Sequence, residues 1–256
     1  MYKIAIIGSG NVAWHLTKRL AAQNIEITVL ARNNDKLVEF KKTFNVQTVP
    51  QIKTLKDIDL YILAVKDTAI AQVAEKLKNQ PIVHSSGSIE MDLLSFYSDQ
   101  FGVIYPFQTF RKQTHVEWEQ IPVFIEACCP RFEQTVNSIA RLLSPNVFYL
   151  SSQKRQYLHL AGVFTNNFIN HLLAITRQIL QSQGLNYEWI FPLLQKTIEN
   201  AMLYDPIQVQ TGPAVRNDKI VLQKHLQLLQ NPDWQQVYTV LSKSISRMIK
   251  SAADLD

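Results

Sequence analysis

A strand, a glycine-rich turn and a helix follow one another at the start of this chain. Ile4–Ile7 is an unbroken apolar run, Gly8-Ser9-Gly10-Asn11-Val12-Ala13 follows it, and Val12–Ala22 carries helical spacing. A glycine at Gly8 permits a tight turn, and Gly10 lets the backbone approach a pyrophosphate. The small Ala13 lets the helix pack closely on the strand. The helix N-terminus then offers free N–H donors and a partial positive charge to an anion. A turn without a ligand would carry the same glycines. Its place inside a strand–turn–helix unit is what reads as a dinucleotide-binding fingerprint, with Gly8, Ser9, Gly10, Asn11 and Val12 as the expected contacts.

The rest of the first two-thirds extends this pattern. Ile25–Leu30, Leu60–Val65, Ile82–His84 and Val103–Tyr105 read as buried strands, and Asp35–Phe44 and Thr68–Leu77 as helices between them. Such alternation predicts an α/β fold of Rossmann type, a doubly wound and mostly parallel sheet with helices on both faces. Val123–Ala127 and Val147–Leu150 flank a helical segment, Pro130–Leu143, and are expected to extend the same sheet. After Leu150 only helical patterns follow: a long one from Ser151 to Gln183, closed by Gly184, then Tyr187–Leu203, Asp218–Leu229 and Trp234–Ala253. Two domains are expected, residues 1–150 for the nucleotide and 151–256 for substrate and dimerisation. On the long helix Tyr157, Leu160, Ala161, Phe164, Phe168, Leu172, Ile175 and Ile179 form one apolar stripe over more than about 40 Å, more than a small domain needs and suggestive of a partner subunit.

The end of the second strand indicates which dinucleotide. An NAD site usually places a carboxylate there for the ribose 2′-hydroxyl. This chain has Arg32-Asn33-Asn34, and Lys36 one turn into the next helix. A planar guanidinium suits a 2′-phosphate, so NADP(H) is the expected cofactor, held by Arg32, Asn33 and Lys36. An arginine capping a loop is the alternative. Val65, at the next strand end, is expected to pack on the adenosine or pyrophosphate, with Asp67 or Thr68 as a helix cap. His84 and Ser85 follow where a nicotinamide carboxamide would sit.

Composition excludes several classes. With 46% hydrophobic residues the chain is not disordered, and no apolar run approaches the ~20 residues of a membrane span. Its opening on a strand-like Tyr2–Ile7 predicts no secretory signal. Cys128 and Cys129 are adjacent, without zinc or C-x-x-C spacing, and a cytoplasmic location is expected. The net charge of +5 is spread thinly, and solvated helix faces account for its densest clusters, Lys41-Lys42 and Lys154-Arg155. It predicts no nucleic-acid partner and suits a small anionic substrate. His115, His171 and His225 show no ligand spacing, so no metal is expected.

Several segments together resemble a known family. GSGNVA, LAVKD, HSSGS, YPFQTF, HLAGVFTNNF and TGPAVRND occur in this order, and TGPAVRND at Thr211–Asp218 is the most distinctive. The chain resembles bacterial NADP oxidoreductases with a Rossmann-like domain and a C-terminal helical domain of unassigned function. That family is similar in architecture to pyrroline-5-carboxylate reductase, 6-phosphogluconate dehydrogenase and the deazaflavin-dependent NADP reductases. The resemblance implies a homodimer through the helical domain and an active site between domains, and names no substrate. Tyr105 stands where many members have histidine.

A hydride transfer to a carbonyl or imine needs a group that donates a proton or polarises the substrate. Tyr105, His159 and Asn167 are the candidates, together with His84; Asn167 is favoured by the resemblance. On an ideal α-helix, however, His159 aligns with Asn166 and Asn170 within about 40°, and Asn167 lies about 80° away. Such a row also suits a plain polar face. No lysine stands at the matching stretch, against a 6-phosphogluconate dehydrogenase mechanism. Arg216 is expected to bind a substrate carboxylate or phosphate; the same turn, Gly212-Pro213, also serves as a chain breaker, with Asp218 or Asn217 capping the next helix. The reading is an NADP(H)-dependent oxidoreductase. Its rivals are an imine reductase of pyrroline-5-carboxylate type and a non-catalytic NADP(H) sensor or scaffold.

Overall fold

The fully buried strands set the architecture. In β1 (Lys3–Ile7), Ile4 and Ile6 point to one face of a sheet and Ala5 and Ile7 to the other, and all four are buried. A strand covered on both faces reads as a continuous apolar run, and helices must lie on either side. The computed structural model describes residues 2–23, 25–52, 55 and 57–253. Around β1 stand β2 (Glu26–Leu30), β3 (Gln47–Val49), β4 (Leu60–Leu63), β5 (Ile82–His84), β6 (Phe101–Pro106), β7 (Val123–Ala127) and β8 (Val147–Tyr149).

They form one sheet in the order β3-β2-β1-β4-β5-β6-β7-β8. Its first six positions have the Rossmann order, which reverses between β1 and β4. All pairings are parallel except β6 with β7. One face packs on α1 (Asn11–Ala21), α2 (Asn34–Phe44) and α4 (Pro130–Leu143) through Leu16, Leu20, Phe40, Val136 and Ile139. The other packs on α3 (Ile70–Ala74) and its flanking turns through Ile70, Ala74, Leu77 and Leu94. The expected α/β fold is what forms. The short strand β3 and the reversal at β7 are additions to it.

Beyond β8 the chain is helical: α5 (Ser152–Gly162), a π-helical stretch (Val163–Phe168), α6 (Ile169–Ser182), α7 (Phe191–Leu203), α8 (Lys219–Leu228) and α9 (Pro232–Ala253). It separates into two compact units, residues 1–167 and 168–256. Within the second unit Ile175 and Ala214 are the buried apolar residues among those described, while Trp189, Leu193, Met202, Leu203 and Ile220 are exposed. The stripe expected to be covered on the long helix is also open, with Tyr157, Leu160, Phe164, Phe168 and Ile179 exposed.

Candidate active site

The glycine turn lies where the sheet order reverses. Gly8 N–H donates to the Leu30 carbonyl at 2.9 Å and Ala64 N–H to the Ile7 carbonyl at 2.8 Å, which draws the ends of β1, β2 and β4 together. Gly8 has φ +137°, and a Cβ there would overlap the Ala64 carbonyl. Only glycine fits so close an approach. Gly10 is the N-cap of α1 and has open space where a side chain would project. No side chain caps α1 and no acidic residue stands in its first turn. The first-turn amides, at Asn11, Val12 and Ala13, therefore face outward with the helix dipole behind them. The cradle has the shape and donors that a pyrophosphate needs.

Arg32, Asn33 and Lys36 sit exposed just past β2. Asn33 is the N-cap of α2, its side-chain oxygen accepting from Lys36 N–H at 3.0 Å, so part of its hydrogen-bonding capacity is already used. Arg32 keeps its guanidinium unpaired among the described residues and open to a phosphate. Val65 is half-buried against the α3 face. Ser85 donates its hydroxyl to the Leu63 carbonyl at 3.3 Å.

His84 needs correction. It is completely buried, so its ring does not reach a ligand beside the strand end as expected. Nδ1 accepts from Ser86 N–H at 3.2 Å and fixes the loop that follows β5. Burial, reinforced by the Arg155 guanidinium, pushes its pKa down to about 4, which keeps the imidazole neutral. The loop continues through Gly87 to Ser88, whose hydroxyl donates to Asp67 at 2.6 Å.

Two residues expected separately prove to be partners. Tyr105, near the end of β6, and His159, in the second turn of α5, join through Tyr105 Oη and His159 Nδ1 at 2.9 Å. Gly87 lies against both. A Cβ there would fall 2.5 Å from His159 Nδ1 and 2.8 Å from Tyr105 Cζ. Gly162 makes similar room one turn up, where a Cβ would meet the Phe107 ring at 2.8 Å. Burial pushes the Tyr105 phenol up to about 12, against an opposing pull from Arg155. It is a neutral O–H at physiological pH.

Beneath this pair lies Arg155, a cation expected on a solvated helix face and found buried. Arg155 is fully enclosed, while its neighbour Lys154 is exposed, because about 100° of helix rotation separates them. Its guanidinium pairs with Glu126 of β7 at 2.7 Å and donates to the Ile89 carbonyl and to Ser152 Oγ. Glu126 also accepts from Ser152 N–H at 2.9 Å and Ser152 Oγ at 2.6 Å. Gln156 reaches the Ser88 carbonyl at 3.1 Å, and Met91 N–H donates to Ser152 Oγ at 2.9 Å. The network clamps α5 to β7 and to the loop after β5. A glutamate inside an otherwise apolar strand was the available signal for it.

The expected polar row on the long helix also changes. Val163–Phe168 is π-helical, with i→i+5 hydrogen bonding that accommodates an extra residue. One such residue sets everything beyond it back by about 100°, which carries Asn167 from about 80° off His159 to within about 20°. Asn167 is exposed, so its amide is available there. In the second unit Asp218 caps α8, accepting from Val221 N–H at 3.1 Å, and Arg216 stands exposed two residues before it.

Comparisons with known proteins agree with this fold and cradle. Residues 3–85 match the family described as NADP oxidoreductase coenzyme F420-dependent, and residues 121–245 match a domain of unknown function, DUF2520. The crystal structure of a candidate NADP oxidoreductase from Bacteroides fragilis is similar at 33% identity, with 96% of this chain and 98% of that one covered and a TM-score of 0.90. An imine reductase from Myxococcus stipitatus, in complex with NADP+, shares the fold at 13% identity, covering 99% and 94%, with a TM-score of 0.67. A 1-pyrroline-5-carboxylate reductase from Streptococcus pyogenes shares it at 15% identity, covering 97% and 98%, with a TM-score of 0.62. No curated protein matches significantly. A Rossmann-type nucleotide domain followed by a helical domain is thus the class. The chain belongs to the NADP oxidoreductase family that joins these two domains, and its cofactor is NADP(H).

Proposed function

We propose that the protein moves a hydride between NADP(H) and the carbonyl or imine carbon of a small anionic substrate, with Tyr105 and His159 as the proton-transfer pair. The 2.9 Å contact between Tyr105 and His159, buttressed by Gly87 in the loop after β5, carries this reading. Gly8, Ser9, Gly10, Asn11 and Val12 hold the pyrophosphate, and Arg32, with Asn33 and Lys36, the 2′-phosphate. Val65 and Ser85 flank the cofactor. When bound, NADPH supplies the hydride.

The chain's own contribution is a proton at a defined atom. With His159 Nδ1–H donating to Tyr105 Oη, the phenol hydrogen is left for the substrate oxygen or nitrogen. A phenol alone is a weak acid, and its raised pKa makes it weaker still. For the relay to balance, the ring must carry protons on both nitrogens: such an imidazolium passes its Nδ1 proton to the phenol as the phenol proton leaves and ends as neutral imidazole, so the phenol need not persist as an anion. Asn167, turned toward His159 by the π-helical stretch, orients the substrate, and Arg216 binds its anionic group. A homodimer through the helical domain is supported by the apolar side chains exposed there, such as Met202 at 81% and Ile220 at 83%. A cytoplasmic location accords with the free cysteines.

Calorimetric titration of NADPH and NADH, with and without Arg32→Ala, tests the cofactor site. A charge-assisted hydrogen bond of about 1.5–3 kcal/mol predicts a preference for NADPH of about 10- to 150-fold that the variant loses. In a panel of carbonyls and imines, Tyr105→Phe should then lower kcat at least about 100-fold and leave NADPH affinity unchanged. Absence of NADPH binding, or full turnover by Tyr105→Phe, would refute the proposal.

A further inference from the structure

Cys128 and Cys129 take no part in the chemistry above. They lie between the end of β7 and the start of α4. Ala127 pairs with Gly102, whereas Phe124 pairs with Tyr105, so the thiols sit at the opposite edge of the sheet from the Tyr105–His159 pair. Cys128 is anchored: its thiol donates to the Asp99 carbonyl at 3.3 Å, and its sulfur accepts from Phe101 N–H at 3.5 Å. Cys129 is exposed and occupies the N-cap of α4, a helix of 14 residues. Pro130 follows it, so the first available helix amides are those of Arg131 and Phe132. The two sulfurs are 3.8 Å apart.

That separation has a chemical meaning. Two thiolates bound at about 2.3 Å to one tetrahedral ion stand about 3.8 Å from each other. A disulfide would need about 2.05 Å between sulfurs, and it usually spans Cα atoms about 4.4–6.8 Å apart. Adjacent residues on a trans peptide offer only about 3.8 Å. The pair is therefore spaced for a bridging ion in preference to an S–S bond. No group of three His, Cys, Asp or Glu side chains forms a metal cluster among the described residues, so a closed four-ligand protein site is not present. The remaining positions on the ion stay with its own ligands.

We propose that Cys128 and Cys129 form a two-thiolate chelate for a thiophilic divalent cation. Each thiol releases one proton to solvent. Two S–metal bonds replace two metal–water bonds, and no oxidation state changes.

The test is a titration of the full chain with Cd2+ alone, read by thiolate-to-metal charge-transfer absorption and by proton release. One equivalent should bind, with the band of two thiolates and release of both thiol protons. Outer ligands alone are commonly worth about 10- to 100-fold in metal affinity, so losing a ligand itself should cost more than about 100-fold. Cys129→Ser is the decisive variant, because serine is a favourable N-cap and preserves α4. It should halve the band and weaken binding by that factor; Cys128→Ala should do the same. Absence of the band in the unaltered chain, or equally tight binding by Cys129→Ser, would overturn the proposal.

Discussion

Removing one member of the Arg155–Glu126 pair should cost far more than removing both charges together. Arg155 and Glu126 side chains are 1% and 9% exposed, and their contact is 2.7 Å. Glu126→Gln leaves a buried guanidinium facing a neutral amide, a loss of about 3–5 kcal/mol for a broken buried pair. Arg155→Met leaves the carboxylate with only Ser152 as partner and strips the Ile89 carbonyl, a cost in the same range. In the double variant no charge remains, and the principal deficit is the unpaired carbonyl, about 1–3 kcal/mol. The double variant should thus be more stable than either single one, with a coupling of several kcal/mol. Because the chain has two units that need not unfold together, the readout is hydrogen exchange of β6 and β7 amides across a urea series. Additivity within about 0.5 kcal/mol, the behaviour of independent sites, would refute the reasoning.

Gly87→Ala should break the Tyr105–His159 hydrogen bond, since the new methyl meets both rings; overpacking of this kind costs about 1–3 kcal/mol. The 15N shifts of the His159 ring should move, whereas Gly10→Ala, with open space around it, should leave them in place. An unchanged His159 signal in Gly87→Ala would show that the pair does not depend on that close approach. His84 should titrate near pH 4, against 6.5 for an ordinary histidine. Its pKa is depressed on folding, so its contribution to stability is complete above about 6.5 and is lost as pH falls toward about 4. An NMR titration midpoint near 6.5 would contradict its burial.

The parallel half of the sheet was legible because strands buried on both faces leave unbroken apolar runs. The glycine turn was legible because its residues are dictated by close approach, as at Gly8 and Ala64. Strand direction leaves no such mark, so Val123–Ala127 read as a strand without revealing that it runs backward. Gln47–Val49 was missed because three half-exposed residues give no pattern. Tyr105 and His159 were each visible as polar groups in promising places, but 54 residues separate them and nothing local links them. Arg155 was misread because Lys154-Arg155 looks like a basic pair, and only helix phase decides which of the two faces the sheet. The π-helical stretch defeats any wheel drawn at constant rotation, which is why Asn167 was placed off the His159 row.

The backward run of β7 also decides where the following helix can go. β8 runs parallel to β7, so the chain leaves β8 heading away from the end of β6, with Ser152 held at Glu126, which pairs with Val103 in the middle of β6 and two residues short of Tyr105. From there α5 climbs in the same direction as β6. Seven residues of helix rise about 10 Å, the two strand residues from Val103 to Tyr105 about 7 Å, so the imidazole comes up beside the Tyr105 hydroxyl. Had β7 and β8 followed the direction of their neighbours, the helix would have run opposite to β6 and away from Tyr105. Its imidazole would then have been carried toward the wrong end of the sheet. A single reversal of heading thus delivers a histidine from far along the chain to the tyrosine near the end of β6.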